Sequence, residues 1–289
     1  MLKLAILGCE NSHANTFIDF VVDKKVVDDV EFIGVYSEDA EAMAKLTDKY
    51  GIPGVDSVDA FVGKVDGIII TARNGANHYK YAKPYIESGI PMFIDKPITN
   101  ESREAVEFMR AARENGIRLC GGSTCAALKE TLELADAVAN KTCGELRGGS
   151  VVSPVYTDSP YGGFYFYAEH LVDVMLKIFG CGVKAVSAEK LKDAITLSAK
   201  YDGFNVLGTY VEHTGYYSAS VYGSKSAKAS IINFTTDSFT HEMNDMLALL
   251  KGEAMQKSYE DFILPVFVMN ATLRALESGK TEKLNEIII

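Results

Sequence analysis

From Met1 to Cys120, short apolar runs alternate with amphipathic segments. Leu4–Gly8 is a continuous apolar stretch ending in glycine, the pattern of a strand covered on both faces. Behind it, Ala14, Phe17, Ile18, Val21 and Val22 recur at helical spacing and predict a helix over Ser12–Asp23, with Ser12 able to cap it. The rhythm then repeats. Phe32–Ser37 is a strand, and Ala40–Tyr50 a helix with Gly51 in the C′ place. Gly67–Thr71 is a β-branched strand, followed by a helix over His78–Ser88 that Pro84 should kink and Gly89 should end. Met92–Ile94 is a strand, Asn100 is placed to cap a helix running to Asn115, and Ile117–Cys120 closes the series after Gly116. Strands and helices in strict alternation require right-handed crossovers, hence a parallel sheet with helices on both faces. Residues 1–121 are therefore expected to form a doubly wound Rossmann domain, with ligands bound beyond the carboxyl ends of its strands.

The pattern changes after Gly121–Gly122, where the domain boundary is placed. Cys125–Ala139 has helical spacing, Glu145–Val155 reads as a strand, and Tyr167–Phe179 as an amphipathic helix ended by Gly180. From Val183 to Phe234 the chain is rich in Tyr, Ser, Thr and Val, punctuated by Gly203, Gly208, Gly215 and Gly223, and predicts an antiparallel meander. Helices over Thr240–Lys251 and Tyr259–Ser278 complete the chain. The expectation for residues 122–289 is an α+β substrate and oligomerisation domain with a mostly antiparallel open sheet, making the whole an α/β protein.

Charge narrows the choice of partners. The formal net charge of −10 repels phosphate backbones, and no basic run or basic amphipathic stretch offers a membrane-surface contact. No segment approaches the ~18 uninterrupted apolar residues of a membrane span, and MLKLAILG reads as a first strand rather than a signal peptide. Cys9, Cys120, Cys125, Cys143 and Cys181 are scattered, odd in number and without a C-x-x-C pair. Reduced thiols in the cytoplasm are expected, with no cysteine zinc site. The partner expected is a small molecule.

Candidate chemistry sits at the predicted strand ends. The loop Gly8-Cys9-Glu10-Asn11-Ser12-His13 keeps one glycine, at position 8, of the three that a dinucleotide fingerprint wants at 8, 10 and 13. Helix N–H groups behind it still suit a phosphate, although a plain strand–helix turn has the same pattern. Ser37-Glu38 stands where an acidic residue holds an adenosine ribose; a carboxylate there favours NAD over NADP, or is simply a solvated charge at a helix start. Lys96, in Asp95-Lys96-Pro97, follows a buried strand directly and can donate to a substrate oxygen. His170 and Asp173 are three apart and share a helix face, where a neutral imidazole suits a general base and an ordinary packed histidine is the plainer alternative.

LAILG, TARNGANH ending in His78, FIDKPIT, the GG…H-x-x-D helix and the closing LESGK together resemble the Gfo/Idh/MocA family of nicotinamide-dependent oxidoreductases, over nearly the whole chain. The resemblance implies oxidation of a secondary hydroxyl on a sugar, polyol or cyclitol, or reduction of the ketone, with NAD as cofactor. It implies that Lys96 contacts the nicotinamide ribose and the reacting oxygen, that His170 accepts the proton, and that Asp173 and Tyr167 serve the substrate or the active-site helix. Gly8, Glu10, Asn11, Ser12, His13, Ser37, Glu38, Thr71, Arg73, Asn74, His78 and Asp95 would line the cofactor crevice. The open sheet of the second domain would form a homodimer or homotetramer. The chain departs from the family pattern in its single glycine, in Phe166 where an Asp often precedes the catalytic His by four, and in Ser123-Thr124-Cys125, which replace an Asn and Arg. Two other readings compete. One is a ligand-binding or regulatory protein on the same fold without catalysis. The other is a metal-assisted enzyme using Glu10, His13, His78 and His170.

Overall fold

The computed structural model describes residues 1–235 and 237–289, which divide into two compact units. The first comprises residues 1–122, 239–259 and 289. Its parallel sheet contains β1 (Leu2–Leu7), β2 (Val30–Tyr36), β3 (Gly67–Ile70), β4 (Met92–Ile94) and β5 (Leu119–Gly121), in the order β2-β1-β3-β4-β5. The chain winds one way from β1 to β2 and the other way from β3 onward, so the switch point lies at the carboxyl ends of β1 and β3. Leu4, Ile6, Ile69 and Phe93 fill the middle of the sheet and are fully buried, as two-sided coverage requires.

Helices α1 (Ser12–Val21), α2 (Ala40–Tyr50), α3 (His78–Ala82) and α4 (Ser102–Glu114) connect the strands. Gly51, at φ 67°, ends α2 in the left-handed conformation expected of it. Pro84 does more than kink its helix: α3 stops at Ala82 and the chain tightens into a 3₁₀ segment over Lys83–Ser88, because proline has no N–H to continue the α ladder. Asn100 is not the cap expected for α4. Glu101 takes that position without a side-chain bond, and Asn100 Nδ2 instead donates to Asn74 Oδ1 at 3.4 Å.

The first unit also contains α7 (Thr240–Leu250). Met243 and Met246 are buried in the same core as Leu4, Phe17, Ile69 and Phe93. A Cβ on Gly67 would lie 2.5 Å from Met246 Cε, which shows how closely the returning helix meets β3. A single cut at Gly121–Gly122 assigns this helix to the other domain; a segment that leaves and returns has no local signature.

The second unit comprises residues 123–238 and 260–288. Its strands are β6 (Leu146–Val155), β7 (Ala185–Lys190), β8 (Ala194–Lys200), β9 (Asn205–Glu212), β10 (Tyr217–Gly223), β11 (Ala227–Ile232) and β12 (Glu282–Lys283). Their order is β11-β10-β6-β9-β8-β7-β12. The expected meander exists as β7-β8-β9 and as β10-β11, but β6 separates the two pieces and pairs parallel to β9. Turn residues encode only hairpins between successive strands, so this long-range insertion is invisible to them. The other pairings are antiparallel.

Helices α5 (Lys129–Ala139) and α6 (Tyr165–Phe179) lie on this sheet; α8 (Tyr259–Ser278) follows α7. Where one helix was expected from Cys125, a 3₁₀ turn over Thr124–Ala127 comes first, and extended backbone at Leu128 separates it from α5. Helix α6 starts at Tyr165, two residues before the predicted start. A Cβ on Gly149 would sit 2.1 Å from the Phe179 ring, so β6 needs glycine for α6 to dock.

Candidate active site

The expected cofactor residues of the first unit gather where β1, β2, β3 and β4 end. Asp95 directly follows β4 and is fully buried. Its Oδ1 accepts the Lys96 backbone N–H at 2.7 Å, and its Oδ2 accepts Asn11 Nδ2 at 2.6 Å and meets His13 Nδ1 at 2.8 Å. Burial alone would depress the imidazole of His13; the Asp95 carboxylate, helped by Glu242 on α7, overrides it and lifts His13 to about 9. Burial works in the opposite direction on Asp95, and the charges of His13 and Lys96 outweigh it to hold the carboxyl well below its ordinary range. The result is a buried ion pair that fixes the backbone of Lys96, itself a buried residue.

The neighbouring loops are tied together with equal care. Thr71 Oγ1 donates to the Gly8 carbonyl at 2.7 Å, and Gly8 has φ 99° with space for no side chain: a Cβ would come within 2.3 Å of Ala72 N. The Lys96–Pro97 peptide is cis, and Pro97 packs against Gly75. His78 Nδ1 lies 2.6 Å from the Pro97 carbonyl and Nε2 2.8 Å from the Ala72 carbonyl, so the buried ring sits between the two loops. Glu10 Oε1 accepts the Arg73 N–H at 2.9 Å and Oε2 accepts the Ser37 hydroxyl at 2.8 Å, which bridges the ends of β1, β2 and β3. Asn11, not Ser12, caps α1, its Oδ1 accepting the His13 N–H at 3.3 Å; Asn74 Oδ1 does the same for Ala76 N at 3.1 Å. Glu38 forms a surface ion pair with Lys80.

These contacts engage within the chain the side chains that a metal-assisted reading would use in this unit. Both nitrogens of His78 face carbonyls, His13 holds Asp95, and Glu10 holds two donors of the chain itself. Among the described residues no three metal-ligating side chains converge.

The donor set fits a dinucleotide. The α1 N-terminus opens at the β1–β3 switch point, the Glu38 carboxylate stands just past β2 for a ribose diol, and Lys96 follows β4. One residue opposes it: the Glu10 carboxylate lies in the loop that would carry a pyrophosphate. Its two hydrogen bonds spread the charge without removing it.

In the second unit, α6 places Tyr167, His170 and Asp173 together. Ser123 Oγ lies 2.6 Å from His170 Nδ1, and the Ser123 N–H donates to Asp173 Oδ2 at 2.7 Å. The Cys125 N–H donates to Ser123 Oγ at 3.2 Å, and Cys125 Sγ is 3.8 Å from the same ring nitrogen. Tyr167 meets His170 edge-on at 5.0 Å and Tyr217 does so at 5.8 Å. Tyr156 and Phe166 each pack 4.8 Å from Tyr167, and Phe234 packs 5.6 Å from Tyr217. Burial, then Cys125, pushes the Tyr217 phenol far up, so it remains a protonated donor. Sequence reasoning placed Tyr167, His170 and Asp173 but missed Ser123, Cys125, Tyr156 and Tyr217 as their surroundings. The available signal was the replaced family residues at Ser123-Thr124-Cys125; β10 offered none, since its facing depends on a sheet order no local pattern gives.

Residues 2–122 match the family described as "Oxidoreductase family, NAD-binding Rossmann fold" (GFO_IDH_MocA). Over 92 residues the chain is 28% identical to UDP-N-acetylglucosamine 3-dehydrogenase of Acidithiobacillus ferrooxidans, a match covering 32% of this chain and 29% of that enzyme. The fold is that of scyllo-inositol dehydrogenase from Lactobacillus casei, solved with bound NAD(H) and scyllo-inositol. The TM-score is 0.84 at 14% identity, over 98% of this chain and 99% of that one. Myo-inositol dehydrogenase of Corynebacterium glutamicum gives a TM-score of 0.82 at 17% identity over 99% of both chains.

Proposed function

We propose, from the premise that residues 2–122 are an NAD-binding Rossmann domain of the Gfo/Idh/MocA oxidoreductase family, that this chain is a dehydrogenase or reductase acting on a secondary alcohol or its ketone in a sugar, polyol or cyclitol-like molecule. The observation that carries the reading is Lys96: a buried lysine at the carboxyl end of a parallel strand, its backbone fastened by a buried carboxylate. The nicotinamide, when bound, supplies or takes the hydride. Lys96 donates to the reacting oxygen, and His170 accepts or returns the hydroxyl proton. The α1 N-terminus, Ser37, Glu38, Thr71, Arg73 and Asn74 hold the cofactor. Tyr167 and Asp173 shape the substrate side, Asp173 through its bond to Ser123.

We further assign self-association, as a homodimer or homotetramer, to the second unit's sheet, where Leu207, Tyr222 and Ile231 are exposed large side chains. No helix among the described residues is long and apolar enough to cross a membrane. The five cysteines are not paired in disulfides, in keeping with a cytoplasmic setting.

Titration with NADH, followed by nicotinamide fluorescence, tests the reading when combined with an absorbance screen of polyols, sugars and keto sugars. Saturable binding and turnover of at least one such compound are expected. Saturable binding with no turnover of any would favour the regulatory reading, for which Glu10 and Phe166 are the motivation. Failure to bind nucleotide would end both. The Glu10→Gln variant sharpens the cofactor assignment: it keeps an acceptor for the Arg73 N–H and removes one negative charge beside the phosphates. Its dissociation constant for NADH should fall by about 3- to 10-fold, more at low salt than at high, as expected for a partly exposed charge. An unchanged constant would place the pyrophosphate away from this loop.

A further inference from the structure

We propose that Ser123 is the positioning residue for His170, and that Asp173 acts by holding Ser123 in place; the idea rests on the reading of His170 as the proton acceptor. An imidazole that takes a proton on one nitrogen must carry its hydrogen on the other and must be kept from rotating. Position 166, one turn earlier on α6, holds a phenylalanine, whose ring packs among Tyr156, Tyr161 and Tyr167 and has no acceptor to offer. Ser123 supplies one from a different element. Its Oγ is 2.6 Å from Nδ1, and both residues are buried.

The serine is itself fixed from two sides. Its N–H goes to Asp173, three residues beyond His170 on α6, so the loop and the helix are joined by two bonds within one helical turn. The Cys125 N–H occupies one lone pair of Ser123 Oγ. In the proposed arrangement the second lone pair accepts Nδ1–H, which puts the basic lone pair of the ring on Nε2. A hydroxyl stabilises an imidazolium less than a carboxylate would, because the hydrogen bond lacks a charged acceptor. The arrangement orients the ring through a neutral acceptor. The titratable groups facing the ring include Cys125, Tyr167, Tyr217 and, through Ser123, Asp173.

The test needs no substrate. In protein labelled with ¹⁵N-histidine, the His170 signals are identified by their loss in His170→Asn. The wild-type ring should be the Nδ1–H tautomer, with Nε2 unprotonated in the neutral form. Ser123→Ala should give mixed tautomers and lower the ring's pKa by about 0.7 unit, the worth of one ordinary hydrogen bond to the charged form. Ser123→Thr, which keeps the hydroxyl, should restore both. Unchanged signals of the other histidines would show that the fold is intact. A wild-type Nε2–H tautomer, or a Ser123→Ala tautomer and pKa equal to the parent's, would overturn the proposal. The underlying reading fails separately, if His170→Asn turns over substrate at the parent rate.

Discussion

Lys96→Met should lower turnover by about 10²- to 10⁴-fold, the usual contribution of a positioned proton donor, while changing NADH affinity by less than about tenfold. Methionine has nearly the length of lysine and packs well in buried surroundings, so the substitution removes the ammonium and little else. The backbone of position 96 is held by its N–H to Asp95 Oδ1, a bond that does not involve the side chain. The loop should therefore keep its shape, and the loss should fall mainly on kcat. Steady-state kinetics on whichever alcohol or ketone the screen identifies, with a parallel thermal melt, separates a chemical loss from a folding loss. Turnover at the parent rate in a folded variant would withdraw the catalytic assignment.

The second large effect concerns stability. His13→Leu leaves the Asp95 carboxylate buried without its hydrogen-bonded cationic partner, and breaking such a pair typically costs about 3–5 kcal/mol. For a chain of this size the melting point should drop by roughly 10 °C. The pH dependence has a definite sign. The imidazole of His13 goes from an ordinary 6.5 to about 9 on folding, so its contribution is complete below 6.5 and disappears as the pH rises through about 9. Asp95 is lowered from 3.8, so its contribution is present above 3.8 and is lost only as the pH falls through its much lower folded value. Both describe one interaction and are not to be added. Urea midpoints measured at about pH 6 and about pH 9.5 should differ in the wild type by more than in His13→Leu. Parallel curves for the two proteins would show that the pair does not govern alkaline stability.

The first sheet was legible because its strands, helices and turns agree locally. Leu4–Gly8 and Gly67–Ile70 are apolar throughout, and Gly51 and Gly89 end helical segments where the pattern says they should. Legibility stopped where a structure depends on distant partners. Nothing near Glu145–Val155 reveals that β6 divides the meander, and nothing near Thr240 reveals that α7 joins the first core. The same divide runs through the candidate residues of each unit. Lys96 and His170 stood out from their positions in sequence, whereas their supports did not. Asp95 looked like a loop residue until three donors were found on it, and Ser123 lies 47 residues from the ring it touches. His13 shows the reverse case: a residue conspicuous at the phosphate loop turns out to be the internal counterion of a buried carboxylate.

The return of α7 ties the inheritance of the two units together. A gene fragment ending after Gly122 would encode a sheet whose floor lacks Met243 and Met246, leaving part of its interior open to water. Exchange of the nucleotide module between relatives by one crossover would transplant an unfinished core. Two exchanges are needed, one on each side of the inserted segment, so residues 123–238 are bound to travel with the architecture that encloses them in sequence.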